Sequence, residues 1–202
     1  MLFLVFGSSA SGKTFALDRL RGRVENLAVH DFDEIGVPPR ADRAWRHRSN
    51  EIWLRRALEY QAEGTDLALG GQTPLGELLA TPSAPLLEAI SACLIDCNDA
   101  TRIERLRARG PQWWSDSYGD LSDHLAWAAW MRGHAADPRW MPEVVVADDG
   151  LPDMRWSRFT QLEHGDPRWR VRVIDTSAMR VEDVAAELVE WVDEERALLA
   201  SR

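Results

Sequence analysis

The apolar run Leu2 to Phe6 stops abruptly at Gly7-Ser8-Ser9-Ala10-Ser11-Gly12-Lys13-Thr14, and the spacing predicts a helix over Lys13 to Arg21 that opens inside this loop. A buried strand that delivers a small-residue loop directly into a helix leaves few architectures open. Glycine lets the backbone curl until successive N–H groups point inward, and the helix adds the positive end of its dipole, so the turn is shaped to receive phosphate oxygens. The eight residues follow GxxxxGK[ST], the Walker A pattern. In that geometry the backbone of Gly7, Ser8, Ser9, Ala10, Ser11 and Gly12 cradles the phosphates of a nucleoside triphosphate. Lys13 reaches the β and γ phosphates, and the Thr14 hydroxyl ligates Mg2+.

Composition isolates the same position. The chain has 24 basic residues, and Lys13 is its only lysine. A chain that uses arginine everywhere else has kept one compact ammonium on a flexible stem, at the place where a phosphate-contacting point charge is needed.

The rest of the 202 residues alternates strands and helices. Strands are predicted at Asn26 to His30, Asp66 to Leu69, Ser91 to Asp96 and Val171 to Ile174. Helices are predicted at Asp42 to Ala62, Pro85 to Ile90, Ala100 to Arg109 and Val181 to Leu199. In the long helix Trp45, Ile52, Leu54, Ala57 and Leu58 are the expected apolar positions. Such alternation implies right-handed crossovers and a parallel sheet covered on both faces, an α/β fold of three layers. The length fits one domain. Between 110 and 170 the alternation fails, and seven of the ten tryptophans lie there. This reads as an insertion into the domain, helical around Leu121 to His134, serving as a lid or substrate-binding region; its tryptophans pack as a small core or stack on a planar acceptor. His134 reads as a surface histidine, and Cys93 and Cys97 as buried small residues of a reducing compartment.

A formal charge of −9 speaks against a nucleic-acid partner. The apolar start lacks the basic flank and the length of a signal peptide or membrane span, so a cytoplasmic location without membrane association is expected. The oligomeric alternatives, monomer or homodimer, stay open.

Four segments, GSSASGKT, HDFDEI from His30 to Ile35, IERLRARG from Ile103 to Gly110 and VIDTSA from Val173 to Ala178, resemble the nucleoside monophosphate kinase and shikimate kinase superfamily of P-loop enzymes. The likeness covers most of the chain outside the tryptophan-rich stretch. It implies a P-loop NTPase fold with a five-stranded parallel sheet in the order 2-3-1-4-5, with ATP and Mg2+ as cofactors. Asp31 would hold the metal through water, and Asp33 would meet the acceptor hydroxyl. Arg105 would lie over the adenine, Arg109 would neutralise charge in the transition state, and the Asp175-Thr176 turn would border the base. The residues alone leave alternatives open: Asp31 and Asp33 also suit a turn with a helix N-cap, Arg102, Arg105 and Arg109 a solvated face, and Asp175-Thr176 a strand exit.

The third strand runs into Gly70-Gly71-Gln72 with no acid where many P-loop enzymes keep the Walker B aspartate. The reading that uses every strong feature is an ATP-dependent kinase acting on a small acceptor, nucleotide or metabolite, recognised through Arg40, Arg43, Arg46 or Arg48 and the insertion. The alternative is a non-catalytic or regulatory ATP-binding module. A guanine-reading Asn-Lys-x-Asp element is absent, because no second lysine exists.

Overall fold

The computed structural model describes residues 1–39, 41–111, 120–147 and 150–201. Five strands, β1 (Leu2–Phe6), β2 (Leu27–Asp31), β3 (Asp66–Gly71), β4 (Ile90–Asp96) and β5 (Val171–Asp175), form one sheet in the order β2-β3-β1-β4-β5. Every neighbouring pair is parallel, with Leu4 opposite Leu69 on one side and Ala92 on the other. The expected α/β three-layer P-loop fold and its strand order are therefore present.

β1 is buried along its whole length because it feeds two cores. Leu2, Leu4 and Phe6 point into one with Leu67, Leu69 and Leu94, while Phe3 and Val5 point into the other with Ala68, Cys93 and Ile95. Helices α1 (Lys13–Leu20) and α7 (Val181–Ala200) cover the second face, contributing Leu17, Leu20, Leu188 and Trp191. The opposite face is covered by α2 (Arg43–Ala62) and by α3 (Leu75–Ala80), which the sequence did not announce; α4 (Asp99–Ala108) follows β4. The short helix expected at Pro85 to Ile90 is instead a 3-10 turn, Ala84–Leu86, and Ile90 already belongs to β4.

The tryptophan-rich stretch completes that first face. Helix α5 (Leu121–Ala136) supplies Trp130, Met131 and Ala135 to the same core as Leu4 and Leu69, and Phe159 on α6 (Ser157–Thr160), Leu162 and Trp169 join it. The indole N–H of Trp169 donates to the carbonyls of His134 and Ala135 at 3.1 Å each, so the large ring is buried with its polar atom satisfied. Trp113 and Trp114 lie outside the described residues. No helix among the described residues is long and apolar enough to cross a membrane.

Two further expectations are corrected. Ile52 faces solvent at 44% exposure, while its neighbour Trp53 is fully buried; one step of a helix turns a side chain by about 100°, and Trp53 shares the face of Leu54 and Ala57. His134 is interior, not surface. It stacks on Trp130 at 4.7 Å, accepts the Gly76 N–H at 3.2 Å, and burial lowers its pKa to about 4, so the ring is neutral near pH 7.

Phe159→Ala tests the structural role of this stretch. Removing a fully buried ring should cost about 3–5 kcal/mol in urea unfolding, and a loss under about 1 kcal/mol would mean that the segment does not hold the core.

Candidate functional site

All five strands run toward the same edge, so the segments that leave their carboxyl ends meet above it. The loop after β1 is held there from outside. Arg102 of α4, fully buried, donates to the Ser9 carbonyl and to the Asp96 carboxylate at the end of β4. Arg105 donates to the carbonyls of Ala10 and Ser11 at 3.3 and 3.4 Å, and the Thr176 hydroxyl donates to Ser11 at 2.7 Å. A trans peptide points its N–H opposite to its C=O. Tying the Ser9 and Ser11 carbonyls outward therefore turns the N–H groups of Ala10 and Gly12 inward, beside the unpaired first-turn amides of α1. Ala10 and Gly12 accordingly hold positive φ, 61° and 97°. Gly7 has no room for a side chain, since a Cβ would lie 2.2 Å from the Ile95 carbonyl oxygen. The Ser11 hydroxyl is buried with no hydrogen-bond partner among the described residues. The inward amides of Ala10 and Gly12, beside the Lys13 ammonium, fit phosphate oxygens.

On one side of the loop lies a cleft of about 740 Å³, bordered by Lys13, Thr14, Asp31, Asp33, Gln72 and Arg109 among others. Desolvation lowers the Lys13 ammonium to about pKa 8, assisted by the Arg109 charge and opposed by Asp31 and Asp33. The walls of the cleft and the neighbouring Asp31 raise the Asp33 carboxyl above its ordinary range. Asp31 caps a 3-10 turn, Phe32–Ile35, by accepting the Asp33 N–H at 3.0 Å, so the N-cap alternative is realised at Asp31 while both acids still face the cleft. Two residues to which the motifs gave no role hold that turn. The Trp53 indole donates to the Phe32 carbonyl at 3.0 Å, and His30 bridges Glu34 at 2.6 Å and the Tyr60 hydroxyl at 2.8 Å. Gly71 lets Phe32 pack against the end of β3, where a Cβ would approach the Phe32 Cβ to 2.7 Å.

On the other side lies an apolar pocket of about 310 Å³ between α1 and the start of α7, lined by Phe15, Ala16, Met179, Val181, Val184 and Thr176. Arg105 borders it, anchored to the Thr176 hydroxyl and carbonyl at 2.9 and 2.7 Å. Arg109 borders both cavities, as do Ala10 and Gly12. Asp175 borders neither; its carboxylate accepts the Ser177 hydroxyl and, at 2.9 Å, the Ser177 N–H, turn-forming contacts that in that order lower its pKa. The solvated-face alternative fails for Arg102, which is interior; Arg105 is half-buried, and Arg109 is exposed while bordering both cavities.

Of the arginines expected to read an acceptor, Arg46 borders the cleft. Arg43 donates to the Val146 carbonyl at 3.4 Å, Arg48 is exposed away from the cleft, and Arg40 lies outside the described residues. The stretch after residue 110 contributes His124 and Trp127 to the cleft wall, and the Ser8 hydroxyl donates to the His124 carbonyl at 3.2 Å.

No protein-family model matches the chain, and no curated protein matches it in sequence. Solved structures do match in fold. The chain is similar to the unliganded crystal structure of a sugar kinase from Janibacter sp. HTCC2649, with a TM-score of 0.54 and 16% identity over 95% of this chain and 94% of that one. It is also similar to thymidylate kinase from Candida albicans, at TM-score 0.51 and 11% identity over 96% and 92%. A third similar structure is an uncharacterized protein from Eubacterium ventriosum ATCC 27560, at 0.50 and 13% over 96% and 98%. The likeness is one of fold: a five-stranded parallel α/β sheet flanked by helices, of the kind these two kinases also have.

The anchoring of the loop and the charge of its lysine are both measurable. Arg102→Met removes the buried partner of Asp96 but leaves Arg132 on its other oxygen, and should cost about 1–3 kcal/mol in chemical denaturation; a near-neutral change would show that the clamp on Ser9 is dispensable. Affinity for ATP, titrated from pH 6.5 to 9.5, should be flat while Lys13 is charged and fall above about pH 8, approaching tenfold per unit. An affinity that stays flat to pH 9.5 would remove Lys13 from the phosphate contact.

Proposed function

We propose that this chain is an ATP-dependent phosphotransferase that moves the γ-phosphoryl group of ATP to a hydroxyl group of a small acceptor. The observation that carries the reading is the shared boundary of the two cavities: Ala10, Gly12 and Arg109 border the apolar pocket on one side and the polar cleft on the other. A nucleotide with its base in the pocket would lay its phosphates along the loop and present the last one to the cleft.

Phe15, Met179 and Val181 would pack on the base with the Arg105 guanidinium at its edge. The inward amides and Lys13 would take the phosphate oxygens. Thr14 and Asp31 supply only oxygen donors, which suits a hard divalent cation. Mg2+, when bound with ATP, neutralises charge on the β and γ phosphates, and these two side chains would hold it. Asp33, whose raised pKa brings its basicity toward that of an alcohol in transfer, would accept the hydroxyl proton as the oxygen attacks phosphorus and ADP leaves. Arg109, at the junction, would meet the charge that develops on the transferring group. His124 and Trp127 give the stretch from 110 to 170 its part in holding the acceptor.

The glycines at the end of β3, where no acid stands, support a second reading, a module that binds ATP without turning it over. One variant separates the two. Asp33→Asn should lower kcat by about 10²- to 10⁴-fold while leaving the dissociation constant of ATP within about twofold. Full turnover in that variant would end the proton-acceptor role. Wild-type protein that binds ATP and releases no ADP with any acceptor would favour the binding module.

A further inference from the structure

β2 lies at one end of the sheet order, and the short turn that leaves it carries Asp33 and follows directly on Asp31, two acids of the cleft. Little within that segment would hold it in place. A 3-10 turn has poor hydrogen-bond geometry, and the two acids set like charges close together on it. One stripe of α2 supplies the restraint. Trp45, Trp53 and Tyr60 stand close to two helical turns apart and so share a face. The Phe32 ring meets Trp45 edge to face at 5.8 Å between centres, and the Phe32 carbonyl accepts from the Trp53 indole. The His30 ring lies against Trp53 and Tyr60, at 5.3 and 5.8 Å. Glu34 completes the clasp. One of its carboxylate oxygens accepts the Asp31 N–H at 2.9 Å and an Arg21 N–H at 3.2 Å, and the other faces His30 Nδ1 at 2.6 Å. A carboxylate only accepts, so Nδ1 carries the hydrogen, and in the neutral ring Nε2 takes the Tyr60 O–H at 2.8 Å.

We propose that His30 and Tyr60 are positioning residues: acting through Glu34, they register the turn that bears Asp31 and Asp33 against α2, the helix whose first turn forms part of the cleft wall through Trp45 and Arg46. The tasks of the two acids, holding Mg2+ and receiving a proton, rest on the phosphotransfer reading; the clasp rests on the contacts themselves. An acceptor hydroxyl presented from that wall and a carboxylate set to meet it need a fixed separation, because a displacement of about 1 Å can cost a large factor in rate. A helix that both carries the wall and grips the turn keeps that separation when it shifts. His30 and Tyr60 border neither cavity, so their influence is one of geometry. Loss of the clasp therefore weakens the response to Mg2+ and slows transfer, and leaves metal-free nucleotide binding intact.

Two variants break the Tyr60 link and leave the rest. Tyr60→Phe deletes only the hydroxyl, and His30→Asn keeps an amide nitrogen close to where Nδ1 stands, so it retains the bond to Glu34 without reaching Tyr60. Calorimetric titration of the full chain with a non-hydrolysable ATP analogue, with and without Mg2+, reads the metal arm. ADP release from Mg2+-ATP, with water, glycerol, glucose or uridine as the hydroxyl probe, reads the transfer arm. In each single variant the tightening by Mg2+ and the rate of ADP release should both fall about two- to tenfold, while metal-free binding stays within about twofold. The double variant should lose no more than either single one, because all three break the same link. His30→Ala, which also frees Glu34, should lose more. Unchanged values in both single variants, losses that multiply in the double variant, a matching loss of metal-free affinity, or wild-type binding that Mg2+ does not tighten would overturn the proposal. If wild-type protein releases no ADP with any of these probes, the phosphotransfer reading fails, and the Mg2+ arm alone decides whether the clasp stands.

Discussion

The outward grip on the loop carbonyls is what the rest of the site depends on. A run of small residues has no intrinsic reason to aim its amides at one point, and Ala10 sits at a positive φ that an alanine does not favour. The conformation persists because Arg102, Arg105 and Thr176, drawn from α4 and from the turn after β5, bind the loop from behind. These clamps come from residues far apart in sequence. The loop is thus shaped by two arginines and a threonine that hold its carbonyls from behind. The arrangement also explains the cost accepted at Arg102, a guanidinium with no exposed surface, whose charge is balanced by Asp96 and reinforced by Arg132 at 3.0 Å on the other oxygen of that carboxylate.

A second interdependence joins the cleft to the loop. Helix α5 carries Trp127 on the acceptor side, lends its His124 carbonyl to Ser8, and sends Arg132 to Asp96. The wall that would meet the acceptor and the cradle that would meet the nucleotide share these contacts. In energetic terms, whatever orders α5 also orders the loop, and the influence must be equal in both directions.

Much of this was legible in the chain itself. The strand, loop and helix at the start could be read to within a residue because the motif, the apolar run and the helix signals agree. The sheet order followed from the resemblance rather than from periodicity. What stayed hidden has physical causes. α3 spans six residues, too short for a 3.6-residue period to declare itself. The burial of His134 and Trp53 depends on neighbours contributed by distant segments, and no local pattern encodes that. Arg102 and Arg105 lie on one helix face, and three residues of separation, one ending as a structural clamp and the other beside the apolar pocket, is below what spacing can resolve. Arg46 belonged to a basic cluster that suggested anion binding; its pairing with the buried Glu77 of α3, 31 residues away, is not encoded in any local pattern.

The lowered pKa of Lys13 has a chemical corollary. An ordinary lysine is almost wholly protonated at neutral pH, whereas an amine with a pKa near 8 is unprotonated in roughly one molecule in ten at pH 7. The neutral amine is the form that attacks activated acyl groups. In a chain with one lysine, side-chain acylation therefore has a single address, and it is the residue that a bound polyphosphate would both cover and reprotonate.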